Sequence, residues 1–280
     1  MIEMIKVELT KLRKRKMTSI LLGVIVAFYI LLYIVHFAVA KSPPDRWPPD
    51  IIEANRAGIT FPGALDLIFS LAQSIGAMLI VILVGAAVGN EYGWGTIRQM
   101  LTRKGTRYQY VLAKLSAYII LVIIGLVIAV VVGVILSMIT TAGIEGSIDW
   151  SFMNASLVGD MFRNYGWTLF SLIPYVLLTF TFAVLGRSAM VGIGAGLGYV
   201  FVEGIAVGLL GLGSETLAKI RYYLIGPNAE ALLPSTGMEG PFGSSVAPPS
   251  TLWAAITLII YSAALLGISL LLFKKRDITA

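Results

Sequence analysis

The chain has 280 residues, of which 58% are hydrophobic and only 13% charged, with a mean hydropathy of +0.88. A soluble domain carries about 25% charged residues, so this composition excludes one and requires a chain immersed in lipid. Cysteine is absent, which excludes disulfides, thiolate metal sites and a cysteine nucleophile; the single histidine, His36, excludes a zinc centre built on two or three imidazoles of one chain.

The N-terminal stretch MIEMIKVELTKLRKRK places Ile2, Ile5, Leu9 and Leu12 at spacings of three, four and three, one face of a helix, with Lys11 and Lys14 turned away from it. Such a helix lies along the membrane surface, apolar side at the acyl boundary and basic side on headgroups. A plain basic tail would account for the charges but not for the stripe. Six stretches then follow that can cross a bilayer, which takes about 20 apolar residues at a 1.5 Å rise. They lie near 18–40, 63–89, 115–141, 166–185, 189–212 and 251–273. The first ends in Ala38-Val39-Ala40 like a cleaved leader. Its apolar run exceeds the about 7–15 residues of one, so it is expected to stay as a span. The next stretch, KSPPDRWPPD, has two Pro-Pro pairs and is expected to be extended. Asp66 opens the second span just after Pro62-Gly63, as an interfacial or capping residue, and His36 near the far end of the first span is expected to be structural.

The second connection, residues 90–114, reads NEYGWGTIRQMLTRKGTRYQYVLAK, five Lys or Arg against one acid, Glu91. Thr96-Ile97-Arg98-Gln99 fits a capping box, and Ile97, Met100 and Leu101 share a face opposite Arg98, Gln99, Thr102 and Arg103. Gly105 is a stop signal, and Thr106-Arg107-Tyr108-Gln109 repeats the box to open the third span. The connection thus predicts its own helix of about two turns, too short to stand alone in water. It needs the membrane, neighbouring helices or another protein to pack on.

The fourth and fifth spans are separated only by Gly186, Arg187 and Ser188, a tight reversal. In the fifth, Gly192/Gly196, Gly194/Gly198 and Gly204/Gly208 are G-x-x-x-G pairs that allow close helix approach, within the chain or at a seam between two copies. Glu203 also falls there, and an ionised acid at mid-membrane costs roughly 2.5–3.5 kcal/mol. Either it faces a cavity or partner, or the span ends near it and residues 204–212 form a re-entrant or external helix. Residues 214–250 contain Pro227, Pro234, Pro241, Pro248 and Pro249 with little periodicity.

The connections alternate in charge. The N-terminal tail, the second and fourth connections and the C-terminal Lys274, Lys275 and Arg276 together hold 15 of the 21 basic residues. The excess of Lys and Arg on one side predicts that both termini are cytoplasmic. Trp47, Trp150, Trp167 and Trp253 then fall near the outer boundary and Trp94 near the inner one, as an aromatic belt requires.

Glu91, Gly95-Thr96-Ile97-Arg98, Leu101-Thr102-Arg103, Arg107 and Lys114 together resemble the loop between the second and third spans of ABC-2 type transporter permeases. Lys104-Gly105 stands where that family usually carries a proline. The C-terminal LLFKKRDI, the amphipathic N-terminal helix, the six spans and the tight fourth connection extend the resemblance over essentially the whole chain. It implies an all-α integral membrane protein, a single permease domain over 1–280, with an elbow helix in 1–17 and a coupling helix within 90–114. Short re-entrant helices between the last two spans are part of the same pattern. By the resemblance, Glu91, Thr96, Ile97, Arg98, Met100, Leu101, Arg103, Arg107 and Arg187 face a separate ATPase. Glu91 braces the loop through Arg98 or another nearby cation. Glu203 and Asp66 are the candidates for a pathway or gate.

The resemblance further implies a half-size export permease of the cell membrane. It would pair with a second permease, identical or related, and with two copies of a P-loop ATPase. No G-x-x-x-x-G-K-[ST] motif occurs, so ATP and Mg are expected on the partner, with no cofactor, metal or catalytic residue in this chain and no nucleic-acid partner. Apolar walls suit a hydrophobic or amphipathic cargo such as a peptide, antibiotic or lipid. Two other classes compete. A secondary carrier or channel would use Glu203 and transport without ATP, and a scaffold or sensor would show no flux.

Overall fold

A backbone in lipid must satisfy its own hydrogen bonds, and a helix does so within one segment. The computed structural model describes residues 1–95, 107–147, 150, 154–211, 219–234 and 248–275, and among these the regular elements are all helical. In chain order they are α1 (Ile2–Lys14), α2 (Lys16–Lys41), α3 (Pro49–Ile59), α4 (Ala64–Gly93), α5 (Arg107–Glu145), α6 (Ala155–Gly186), α7 (Ala189–Gly211), a 3-10 turn (Lys219–Tyr223), α8 (Ile225–Glu230) and α9 (Thr251–Lys275). Helices α2, α4, α5, α6, α7 and α9 are long and apolar enough to cross a membrane, at the six expected places. The short helix expected at 96–105 lies outside the described residues.

Several boundaries differ from the expected ones, for identifiable reasons. Helix α5 begins at Arg107, where the box at 106–109 was expected to open it, but runs on to Glu145 past the expected 141, and α6 starts at Ala155 rather than near 166. Hydropathy marks what lipid can touch, not where a helix ends. The first turns of α6 carry an exposed Asp160–Arg163 ion pair at 3.0 Å, and Asn154 starts the helix by accepting from the Leu157 amide at 2.9 Å. The stretch KSPPDRWPPD is not extended throughout. Pro49 takes the first position of α3, where a missing N–H costs nothing, and the helix continues to Ile59. His36 Nδ1 meets Asn55 Oδ1 at 2.6 Å and Asn55 Nδ2 donates to the His36 carbonyl at 3.1 Å, so the histidine ties α3 to α2, a structural role. Helix α7 continues unbroken past Glu203 to Gly211. The placement that ends the fifth span at Glu203 is therefore not found, and the short helices before α9 lie further on, in the 3-10 turn and α8.

Helix α4 is the centre of the bundle and packs most extensively on α6 and α7. Helices already in lipid gain little from hiding apolar surface, so their association rests on close van der Waals contact between small residues. A Cβ on Gly85 would lie 2.7 Å from the Ile193 amide nitrogen, and one on Gly192 would lie 3.0 Å from the Gly85 Cα, so α4 and α7 touch backbone to backbone. The glycine pairs of α7 divide between two faces. Gly192 and Gly196 pack within the chain, while Gly194 and Gly198 meet open space. Helices α2, α7 and α9 expose Leu31, Phe201, Val202 and Ile260 among other large apolar side chains, the outer surface that lipid covers.

Helix α1 ends at Arg15, whose extended backbone (φ −77°, ψ 120°) separates it from α2. Only part of its expected lipid-facing stripe points outward. Ile2 is exposed, but Leu12 is buried in a cluster with Val111 and Leu115 of α5 and Phe273 of α9. At the reversal between α6 and α7, Arg187 holds a left-handed conformation (φ 49°, ψ 32°), which crowds the Cβ of any residue but glycine. Replacing it, Arg187→Gly, should stabilise the fold by about 1 kcal/mol, seen as a raised thermal midpoint in detergent. A lowered midpoint would mean that the arginine side chain contributes more than its backbone costs.

Candidate functional site

At the end of the bundle that carries the chain termini, α1, α4 and α5 bring charged side chains together beneath the second connection. Glu91 sits in the last turn of α4, where the helix dipole disfavours a negative charge, so it requires cations. Lys114, two turns into its own helix α5, supplies the nearest: its Nζ lies 2.5 Å from Glu91 Oε2 and 3.1 Å from Glu8 Oε2 of α1. Lys11 pairs with Glu8 at 2.6 Å and approaches Glu91 at 3.8 Å. Arg15 reaches Glu91 Oε1 at 3.5 Å, donates to the Ala87 carbonyl at 3.2 Å, and lies over the Trp94 ring at 5.6 Å from its centroid. The Tyr110 hydroxyl donates to Glu91 Oε2 at 2.7 Å.

Burial gives this cluster its weight. Lys114 is 1% exposed, Glu91 3% and Glu8 4%, so each charge has exchanged water for the others. Two carboxylates face three cations, which leaves a small positive excess. A buried pair of this kind is a poor source of net stability but a strong constraint. Removing one member strands the other and costs about 3–5 kcal/mol, whereas replacing both by apolar groups is often neutral.

The second connection is held at its far stem as well. Arg107 Nη1 donates to the carbonyls of Phe273 at 3.3 Å and Lys274 at 3.2 Å, the final turn of α9. A cation at the C-terminal turn of a helix complements the negative end of its dipole. Both stems of residues 96–106 are thus anchored, one through Glu91 to α1 and the other through Arg107 to α9.

Of the residues singled out in the sequence, Glu91 and Arg107 belong to this region, and Arg187 lies at the same end of the bundle, in the α6–α7 turn. Thr96, Ile97, Arg98, Met100, Leu101 and Arg103 lie outside the described residues. The brace of Glu91 runs through Lys114, Arg15 and Tyr110. Lys11, expected to turn to the headgroups, turns to Glu8 instead. Glu8, Tyr110 and Arg15 were not anticipated. The available signal was an acid at the edge of the apolar stripe, one turn before Leu12, in a tail whose only other acid is Glu3.

Glu203 and Asp66 sit elsewhere and in different settings. Glu203 is 6% exposed; its Oε1 accepts from the Tyr199 hydroxyl and from the Gly226 amide, both at 2.9 Å, so it fastens α8 to α7. Gln73 of α4 holds the same short helix from the other side, donating to Ser171 Oγ at 2.9 Å and to the Ala229 carbonyl at 2.7 Å. Asp66 is partly buried in the first turn of α4, the helix end that favours an acid. Among the described residues no group of three His, Cys, Asp or Glu side chains is placed to hold a metal ion.

Comparison with known families shows a match over residues 53–279 to one described as a protein of unknown function (DUF2705). The chain belongs to that family. No curated protein matches it.

The cluster makes a measurable claim. Lys114→Met should destabilise the chain by about 3 kcal/mol, Glu91→Gln by a similar amount, and the double variant by clearly less than the sum. Thermal unfolding of the four proteins in one detergent checks this, and additive losses would show that the two side chains do not act as a pair.

Proposed function

We propose that this member of the DUF2705 family is the membrane subunit of an ATP-driven exporter, a half-size permease like those of the ABC-2 type. One observation supports the reading most directly: both stems of residues 96–106 are pinned, through Glu8, Lys114 and Glu91 on one side and Arg107 on the other. A passive connection needs no such anchorage. A connection that receives a push and hands it to α4 and α5 does, because a force on a loose loop is lost in the loop.

In this reading the segment 96–106 forms a coupling helix whose Ile97, Met100 and Leu101 enter a groove of a P-loop ATPase. Arg98 and Arg103 flank that contact, and Arg187 makes a smaller second one. Two ATPase copies bind ATP and Mg and close on one another, and a second permease, identical or related, completes the pathway. Both termini are cytoplasmic, the membrane is the cell membrane, and α1 is the elbow helix. The cargo is a hydrophobic or amphipathic compound. Glu203, committed to Tyr199 and Gly226, acts as a fastening for α8 rather than as an ion site, which favours this reading over a carrier.

The test is co-purification from the native host in mild detergent, comparing the wild type with Leu101→Asp. The wild type should retain a P-loop ATPase, and the variant should insert normally but lose it by about tenfold or more, as expected when a charge is buried in an apolar groove. A folded wild type that repeatedly retains no ATPase sinks the reading.

A further inference from the structure

Helices α2, α4 and α5 enclose an apolar groove of about 560 Å³, counting the space through which it opens to the surroundings. Leu22 and Ile25 of α2, Leu79 and Leu83 of α4, and Leu121 and Gly125 of α5 form much of its wall. Among the described residues Thr18 is the one polar side chain that lines it. Its residue exposure is 5%, and its hydroxyl has no hydrogen-bond partner. Thr141, Thr168 and Thr181 of the spanning helices each donate to the carbonyl four residues back at 2.7 Å, whereas Thr18 shares its unpartnered state with Thr179 of α6, which does not line the groove. Thr18 lies in the first turn of α2, just past the break at Arg15, where the preceding helical turn is missing.

Two further observations say what belongs there. Along α4 the groove runs from Leu83 to Ala72, about 16 Å at 1.5 Å per residue, close to half of a hydrocarbon core about 30 Å thick. Its end at Thr18, in the first turn of α2, faces the leaflet on the side of the chain ends, and its α4 wall reaches past the middle of that helix. Three residues before Thr18, Arg15 turns inward to Glu91, while Arg13, Lys14 and Lys16 around it remain exposed. A hydrocarbon slot, an unmatched hydroxyl donor at its polar end and a basic surface just beyond follow the order of parts in a phospholipid.

We propose that this groove holds one acyl chain of an anionic phospholipid from that leaflet, its ester carbonyl accepting from the Thr18 hydroxyl and its phosphate set among Arg13, Lys14 and Lys16. Anionic headgroups favour such a basic surface, and the hydroxyl fixes the depth of the chain. Lipid binding here needs no ATPase, so it holds or fails independently of the exporter reading.

Native mass spectrometry of the full chain, given equal phosphatidylglycerol and phosphatidylcholine of identical acyl chains, tests this. The wild type should keep one phosphatidylglycerol per chain, preferred about fivefold or more. Gly125→Leu grows into the groove from a Cβ position that is itself only in ordinary contact, 3.7 Å from Leu22 Cδ2, and should cut retention about tenfold. Thr18→Val should cut it about threefold, and Lys14→Gln with Lys16→Gln should erase the headgroup preference. Wild-type retention by a Gly125→Leu protein of normal melting temperature overturns the proposal, as does equal retention of both lipids by the wild type. Should Gly125→Leu fail to fold, unchanged retention by Thr18→Val overturns it instead. A second copy of the chain that is released by groove-filling would also overturn it, making the groove an interface.

Discussion

The Lys114 ammonium is the point on which the terminal end of the bundle depends. It has almost no access to water and two carboxylates on different helices within 3.1 Å. A buried cation is tolerable only when its counter-charges are fixed in place, so α1 must dock where Glu8 can reach it and α4 must end where Glu91 can. That requirement sets the angle at which the N-terminal helix leaves α2, through the extended Arg15. It also fixes the distance between the stems of the second connection. Packing alone would allow α1 to slide along α5, since Leu12 could settle into other apolar holes, whereas a salt-bridged triad has one register.

Much of the architecture was legible because lipid imposes a simple code. Twenty apolar residues in a row mean a crossing, and the six runs fall where α2, α4, α5, α6, α7 and α9 are found. The code fails where helices leave the hydrocarbon, as at the charged start of α6, and where proline has two uses. Pro49 was read as part of an extended stretch and instead starts a helix. The site was half legible. Glu91 and Arg107 stood out by their position in a basic loop, but their partners are separated from them in sequence. Glu8 meets Lys114 across 106 positions, and Arg107 meets Phe273 across 166, and a single sequence has no local signature for such pairs.

The two faces of α7 carry the same lesson in smaller compass. The repeated glycine spacing signals close approach but not toward what. Gly192 and Gly196 lie against α4 and α6, and Gly194 and Gly198, two positions on, look away. A helical turn of 3.6 residues puts the pairs on different faces, and which face is inward depends on neighbours, not on spacing. Glu203 is a similar case. It reads as an acid stranded in a membrane, yet it is bonded to a phenol one turn back on its own helix and to an amide of α8, more than 20 residues on.

The long sequence separations within the charge cluster bear on how the protein is made. Glu8 leaves the ribosome early, but Lys114 follows 106 residues later, about 5–20 seconds at ordinary rates of synthesis. For that interval α1 has only its own Lys11 to pair with Glu8 and lacks the buried counter-charge. It can sit at the surface but cannot settle. Helix α9 comes last, and its closing carbonyls meet Arg107, already in place. The nascent chain therefore has a built-in order: the first helix waits for the third span, and the last helix seals against a hairpin that the first has helped to set.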